Sequence, residues 1–170
     1  MKWISHKLMS FGLVWVVFND FIGAVISGIG AIFPDWIEGK DYESERWRRK
    51  HRTFSHYLFG WLLVLGLILI LGYLRFKGFP WEVKGSWLFE IGLRVSKEVW
   101  VWLLMFYIGF YFVLGSILHV LEDALTGKVP FLNPWRRSFG VRLFSVGSLS
   151  ERVFVIVFLV CVGLIFWGRK

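Results

Sequence analysis

Apolar residues run through this chain in long blocks, separated by short stretches where charges and turn-formers collect. Residues 57–74, 99–118 and 153–168 carry no formal charge and are 18, 20 and 16 residues long. A helix of roughly 20 apolar residues, with a lower limit of about 17, crosses the hydrocarbon core of a bilayer. The pattern predicts transmembrane helices at 57–74, 99–121 and 153–168. A fourth block, 8–33, is interrupted by Asn19 and Asp20. It reads either as one long helix with Asp20 near mid-membrane or as two short helices, about 5–18 and 21–33, folded back on each other. Asn and Asp are turn-formers and are costly inside a lipid-exposed helix, which favours a hairpin over residues 5–33 with Asp20 as a bend residue. Gly23, Gly28 and Gly30 would let its second half pack closely on a neighbour.

The expected fold is therefore an all-α integral membrane protein. An N-terminal helical hairpin and three transmembrane helices form one membrane-embedded domain over residues 1–170. Composition agrees, with a mean hydropathy of +0.60. Eleven tryptophans and eighteen phenylalanines suit a lipid-facing surface with interfacial aromatic anchors rather than a soluble domain. Lys2 and Lys7 before an apolar run resemble a signal peptide. No small-residue cleavage site closes the run, and cleavage would discard His6, so that reading is set aside. Cys161, the only cysteine, lies within an apolar helix and reads as a small lipid- or core-facing residue.

The net charge of +8 changes the picture chiefly through topology. In the hairpin arrangement one side of the membrane receives Lys2, Lys7, Lys40, Arg46, Arg48, Arg49, Lys50, Arg52, Lys128, Arg136, Arg137, Arg142 and Arg152, thirteen in all. The other side receives seven: Arg75, Lys77, Lys84, Arg94, Lys97, Arg169 and Lys170. The excess predicts that the first side faces the cytoplasm. Anionic lipid headgroups are the expected partners of this charge, nucleic acid is not expected, and the glycine-rich helices would allow a homo-oligomer.

The same topology gathers the residues with metal-binding chemistry. Asp35 follows the hairpin, His51 and His56 precede the next helix, and His119 and Asp123 end the helix that returns. Spaced i, i+4, His119 and Asp123 share one helix face. His6 joins them only if residues 5–33 form a hairpin. Each residue alone has a plain structural explanation, such as an interfacial hydrogen bond or a solvated loop. Their placement at one end of the bundle is what points to a metal. Imidazole nitrogen with carboxylate oxygen suits zinc, and also manganese or iron, as one ion or two sharing a carboxylate. Two such ions can clamp the attacking and leaving oxygens of a phosphoester, and Arg52, Arg136 and Arg137 can bind phosphate through paired donors.

These residues carry a resemblance. His6, Pro34-Asp35, His51-Arg52-Thr53-Phe54-Ser55-His56 and His119-Val120-Leu121-Glu122-Asp123-Ala124-Leu125-Thr126, continued by Gly127 and Pro130, occur in the order found in the YdjM-type membrane-associated, metal-dependent hydrolases. Two positions depart from that pattern. Ile37 stands where members often carry a second aspartate, with Glu38 beside it, and Ser55 replaces a threonine. The ligand order also resembles that of zinc-dependent phospholipase C enzymes. That likeness implies a metal held by Asp35, His56, His119 and Asp123, and a second to which His6 and Asp123 contribute.

The resulting expectation is an inner-membrane hydrolase that cleaves a phosphoester of a lipid with metal-activated water. Arg52, Arg136 and Arg137 would bind substrate, and His51, Arg52 and Glu122 would serve catalysis. A non-catalytic scaffold with a structural metal is the alternative. Metal transport is disfavoured because the ligands lie at one end rather than near the midplane.

Overall fold

The structure is a computed structural model that describes residues 1–39, 52–76 and 97–168. His51 and most of the expected interfacial segment 75–98 lie outside the described residues. Helix α1 (Trp3–Phe18) ends where Asn19 adopts a left-handed backbone, φ 51°, and its N–H bonds back to the Trp15 carbonyl. Asp20 then caps α2 (Phe21–Gly30) by accepting from the Gly23 N–H at 2.9 Å. A left-handed Asn followed by an Asp cap supplies both halves of a tight helix-to-helix turn. The interruption at Asn19 and Asp20 is thus a hairpin bend. Tyr107 stabilises it by donating to both Asp20 oxygens, at 2.8 and 2.7 Å.

After a turn at Ala31 and Ile32 the chain continues as α3 (Phe33–Glu38), with Pro34 in its first turn. Together α2 and α3 form a stretch, Phe21–Glu38, long and apolar enough to cross a membrane, as are α4 (Leu58–Arg75), α5 (Lys97–Ala124) and α6 (Leu149–Trp167). The architecture is the predicted hairpin with three long apolar helices, and α3 extends the second arm of the hairpin to a fourth stretch of spanning length. The chain from Thr126 to Arg142 adds a small antiparallel ribbon, in which β1 (Val129–Pro130) pairs with β2 (Arg137–Phe139) and Thr126 bridges Arg142.

Helix α5 is the hub, packed by α2 on one side and α4 on another. Between helices in lipid there is little hydrophobic drive, so close backbone approach and polar contacts must hold the crossing. The α2–α5 contact has both. A Cβ on Gly30 would lie 2.1 Å from the Phe112 carbonyl oxygen, and one on Gly115 only 2.0 Å from that of Ser27. Ser116 donates across the same crossing to the Gly30 carbonyl at 3.0 Å. Against α4, Leu58 packs on Val113, Ile117 and Val120. Helix α6 packs on α1 through Val155 and Met9. Outward positions of α4 and α6, such as Leu67, Ile70, Ile156, Val160 and Cys161, are exposed, as a lipid-facing surface requires.

Glu151, the buried acid of the first turn of α6, ties the bundle end together. It accepts from the Lys2 N–H at 2.9 Å, from Ser5 Oγ at 2.6 Å and from the Gly147 N–H at 2.6 Å. These contacts fix the start of α1, and with it His6, beside the end of α5.

Candidate metal centre

At that end the side chains of His6, His56 and His119 are all fully buried. Three imidazoles buried in a largely apolar bundle require strong polar partners. His119 projects from the last turns of α5, and its Nδ1–H donates to the Ala31 carbonyl at 2.6 Å. That carbonyl is released by the turn between α2 and α3. The bond fixes the ring so that Nε2 points into the cluster. His56, just before α4, donates from Nδ1 to Glu38 Oε1 at 3.1 Å, and Ser55 also hydrogen-bonds Glu38. Asp35, in the first turn of α3, accepts from Trp3 Nε1 at 2.9 Å through Oδ2, while its buried Oδ1 makes no hydrogen bond.

Four atoms remain pointed at one another: Asp35 Oδ1, His56 Nε2, His119 Nε2 and one Asp123 oxygen, all within 4.8 Å. The two imidazole nitrogens are 3.0 Å apart. His56 Nε2 lies 3.4 Å from Asp35 Oδ1 and 3.3 Å from Asp123 Oδ2. His119 Nε2 lies 3.5 and 4.0 Å from the same two atoms. Ligands held about 2.0–2.1 Å from a tetrahedral zinc are about 3.3–3.4 Å apart, so these separations fit a common ion. Two nitrogens facing each other and a buried oxygen without a donor form a donor set that a cation would complete.

His6 adjoins this group rather than belonging to it. Its ring lies 3.9 Å from that of His119, centroid to centroid. Nδ1 donates to Glu122 Oε2 at 2.7 Å, whose other oxygen accepts from Ser10 at 3.0 Å. Nε2 makes no hydrogen bond and stands 3.4 Å from Asp123 Oδ1. The Met1 ammonium lies 2.5 Å from the same oxygen. Asp123 thus turns Oδ2 toward the four-residue group and Oδ1 toward His6.

Electrostatics follow from the crowding of carboxylates. Burial pushes the His56 imidazole toward its neutral form. The surrounding carboxylates of Asp123, Asp35 and Glu38 outweigh that and hold its pKa up at about 10. The cation opposite is Arg52, whose Nε is 2.9 Å from Asp123 Oδ2 as an ion pair without hydrogen-bond alignment. Its terminal nitrogen donates to Thr126 Oγ1 at 2.8 Å. Arg52 has a left-handed backbone, φ 59°, and its N–H donates to Glu38 Oε1 at 3.1 Å. A non-glycine residue there is uncommon and is held by such contacts.

Of the residues singled out from the sequence, Asp35, His56, His119 and Asp123 meet in one group, and His6 and Arg52 flank it. Arg137 lines a cavity with Arg52, whereas Arg136 is not among the residues lining it. Glu122 sits behind His6, with both oxygens engaged. Glu38 sits behind His56 and outside the four-residue group. Its role as orienting acid, like those of Trp3 and the Ala31 carbonyl, is a tertiary feature that sequence reasoning missed. One signal was available for Glu38, because Asp35 and Glu38 are spaced i, i+3 on α3 and share a face.

The chain belongs to the YdjM inner membrane protein family, whose sequence profile matches residues 1–169. No curated protein and no solved structure matches it. The resemblance read from the ordered motifs therefore holds over essentially the whole chain.

Proposed function

We propose that this chain is a membrane-embedded, metal-dependent hydrolase that cleaves a phosphoester of a lipid. The observation that carries the reading is the set of four inward-facing atoms of Asp35, His56, His119 and Asp123 with the Arg52 guanidinium against one of them. A divalent ion there, most simply zinc, would supply a Lewis acid that acidifies water and polarises a phosphoryl oxygen. The chain's own residues do the rest. Arg52 presents a planar cation to the phosphoryl group beside the ligands, and Arg137 extends the positive surface. Glu122 is a positioning residue that holds the His6 ring with Nε2 toward Asp123. His6 Nε2 and Asp123 Oδ1 would take a second ion only in place of the Met1 ammonium, which lies 2.5 Å from that oxygen. The site sits at the end of the bundle, which suits a headgroup whose acyl chains stay in the bilayer. The excess of lysine and arginine on that side supports a cytoplasmic orientation.

A structural metal is the second reading, and one observation favours it. Four protein ligands can close a tetrahedral site and leave no position for water. The two readings separate in one experiment. Detergent-purified wild type and Asp123→Ala are compared by elemental analysis, then assayed on phosphatidic acid vesicles and on bis-p-nitrophenyl phosphate. The hydrolase reading expects metal in the wild type, lost in the variant, and hydrolysis that stops with chelator and returns with metal. Stoichiometric metal with no hydrolysis of either substrate would favour the structural reading. No metal, even after adding it back, would remove both.

A further inference from the structure

Next to the metal centre, outside the helices, lies a second feature that the hydrolase reading does not use in full. The ribbon after α5 and the Arg52 segment line an open cavity of about 420 Å³. That is within the range of small-molecule sites, roughly 300–1,000 Å³. Its lining includes Arg52, Lys128, Arg137 and Arg142 and, among the described residues, no carboxylate. Four basic residues around one concavity form an electrostatic trap for an anion.

The wall nearest the centre is built around Arg52. A Cβ on Gly127 would lie 2.9 Å from an Arg52 terminal nitrogen, so the absence of a side chain there leaves room for the guanidinium. Thr126 holds that guanidinium from the cavity side, and Asp123 holds it from the ligand side. The adjoining ribbon depends on Gly140, whose φ of 128° and whose missing Cβ, 2.4 Å from the Gly127 carbonyl oxygen, no other residue would tolerate. The ribbon is thereby pressed against the end of α5, and Arg142 is carried next to Thr126. One side chain, Arg52, therefore touches both the ligand cluster and a basic cavity.

A monoanionic phosphodiester needs one such cation. The arrangement has room and charge for a second phosphoryl group adjoining the first. We propose that the cavity is a diphosphate subsite. One phosphoryl group lies at the metal centre against Arg52, and the next lies among Lys128, Arg137 and Arg142. This rests on the hydrolase reading for which phosphoryl group reacts, but the cavity's own chemistry is independent of it. The ligand class is a diphosphate, free or as a lipid headgroup.

The test uses full-length protein in phosphatidylcholine nanodiscs, with binding measured calorimetrically. The probes are inorganic phosphate, inorganic diphosphate and farnesyl diphosphate, each added to metal-loaded and to chelator-treated protein. The variant is Lys128→Ser with Arg142→Ser, both exposed positions, and Arg152→Ser is the control for loss of a cation elsewhere. Diphosphate binding is expected to weaken about tenfold or more in the double variant, since two charge-assisted contacts are lost. Phosphate binding should change less than about threefold, and the control should match wild type. Tighter binding of farnesyl diphosphate than of inorganic diphosphate identifies a lipid headgroup, and equal binding identifies the free anion. Unchanged diphosphate affinity in the double variant, or equal losses for phosphate and diphosphate, overturns the subsite. Because binding is read with and without metal, a protein that binds diphosphate in this cavity yet hydrolyses nothing would sink the hydrolase reading and leave the subsite standing.

Discussion

A methyl group placed at residue 115, more than a helical turn from His119, is expected to disable the candidate metal centre. Gly115 faces the Ser27 carbonyl oxygen so closely that a Cβ would lie 2.0 Å from it, and 3.0 Å from the Ala31 amide nitrogen. Contacts under 3.0 Å are essentially never seen for a real Cβ. Both partners are backbone, so no side chain can rotate away, and α2 must move from α5 by about 1 Å. That movement acts directly on the site, because the Ala31 carbonyl accepts from His119 Nδ1 at 2.6 Å and α3 carries Asp35 just beyond. A lengthening of about 1 Å takes that bond past the useful range. Loss of such an orienting partner typically lowers metal affinity 10- to 100-fold, about 1.4–2.8 kcal/mol, and overpacking costs about 1–3 kcal/mol of stability. The assay is competition against a chromophoric chelator in detergent, with Gly115→Ala beside Gly66→Ala. Gly66 also lies in an apolar helix, but nothing stands within 4 Å of its Cβ position. Wild-type affinity and melting temperature in Gly115→Ala would refute the claim that this crossing sets the ligand geometry.

Four other outcomes are expected. His6→Ala should retain metal in the four-residue group yet lose phosphoester hydrolysis, and loss of all metal would place His6 among the ligands of that group. Metal affinity should rise by at least about tenfold per pH unit across neutral pH, because the His56 proton, with its pKa near 10, must leave before a metal binds. A pH-independent affinity would contradict a protonated His56. The raised value has a sign for the metal-free protein too. The stability it contributes is full below about pH 6.5 and is lost as pH climbs toward 10. Tyr107→Phe removes the donor to both Asp20 oxygens and should cost about 1–3 kcal/mol of stability, read as a lower melting temperature. Metal content should not change, since Asp20 is at the bend end of the hairpin, opposite Asp35.

Much of this was legible because membrane helices are written in long unbroken signals. The break at Asn19 and Asp20 predicted a reversal, and the reversal decided whether His6 could join the other ligand-type residues. The i, i+4 spacing of His119 and Asp123 needed only helical geometry. What the sequence hid was set by packing between segments far apart in the chain. Nothing local links Trp3 to Asp35, or Glu122 to His6, and the short ribbon at 129–139 carries too few residues for an alternating pattern. Glu122, a catalytic candidate in the sequence, neighbours Asp123. One position along a helix turns a side chain by about 100°, and that rotation carries it behind His6. The glycines at 30 and 115 were visible as residues, but their use as a crossing required knowing which helices meet.

The position of the centre along the bundle also follows from these forces. Histidines and carboxylates are costly deep in hydrocarbon, yet a metal site needs shelter from water to hold its ligands rigid. The last turns of α5 meet both conditions. They lie beyond the glycine and serine crossing that clamps α2, and before the chain leaves the helix for the ribbon. The hairpin brings α1 and α3 to the same level, so Trp3, His6 and Asp35 arrive from one side while Arg52 and His56 arrive from another. Outward from there the surface changes from apolar helix faces to the basic ribbon. A substrate with an apolar tail and a phosphorylated head would lie along that boundary, with its tail against exposed leucines and valines and its phosphoryl groups between Asp123 and Arg142. The hydrolase reading needs that placement, and the diphosphate binding experiment tests its outer half directly.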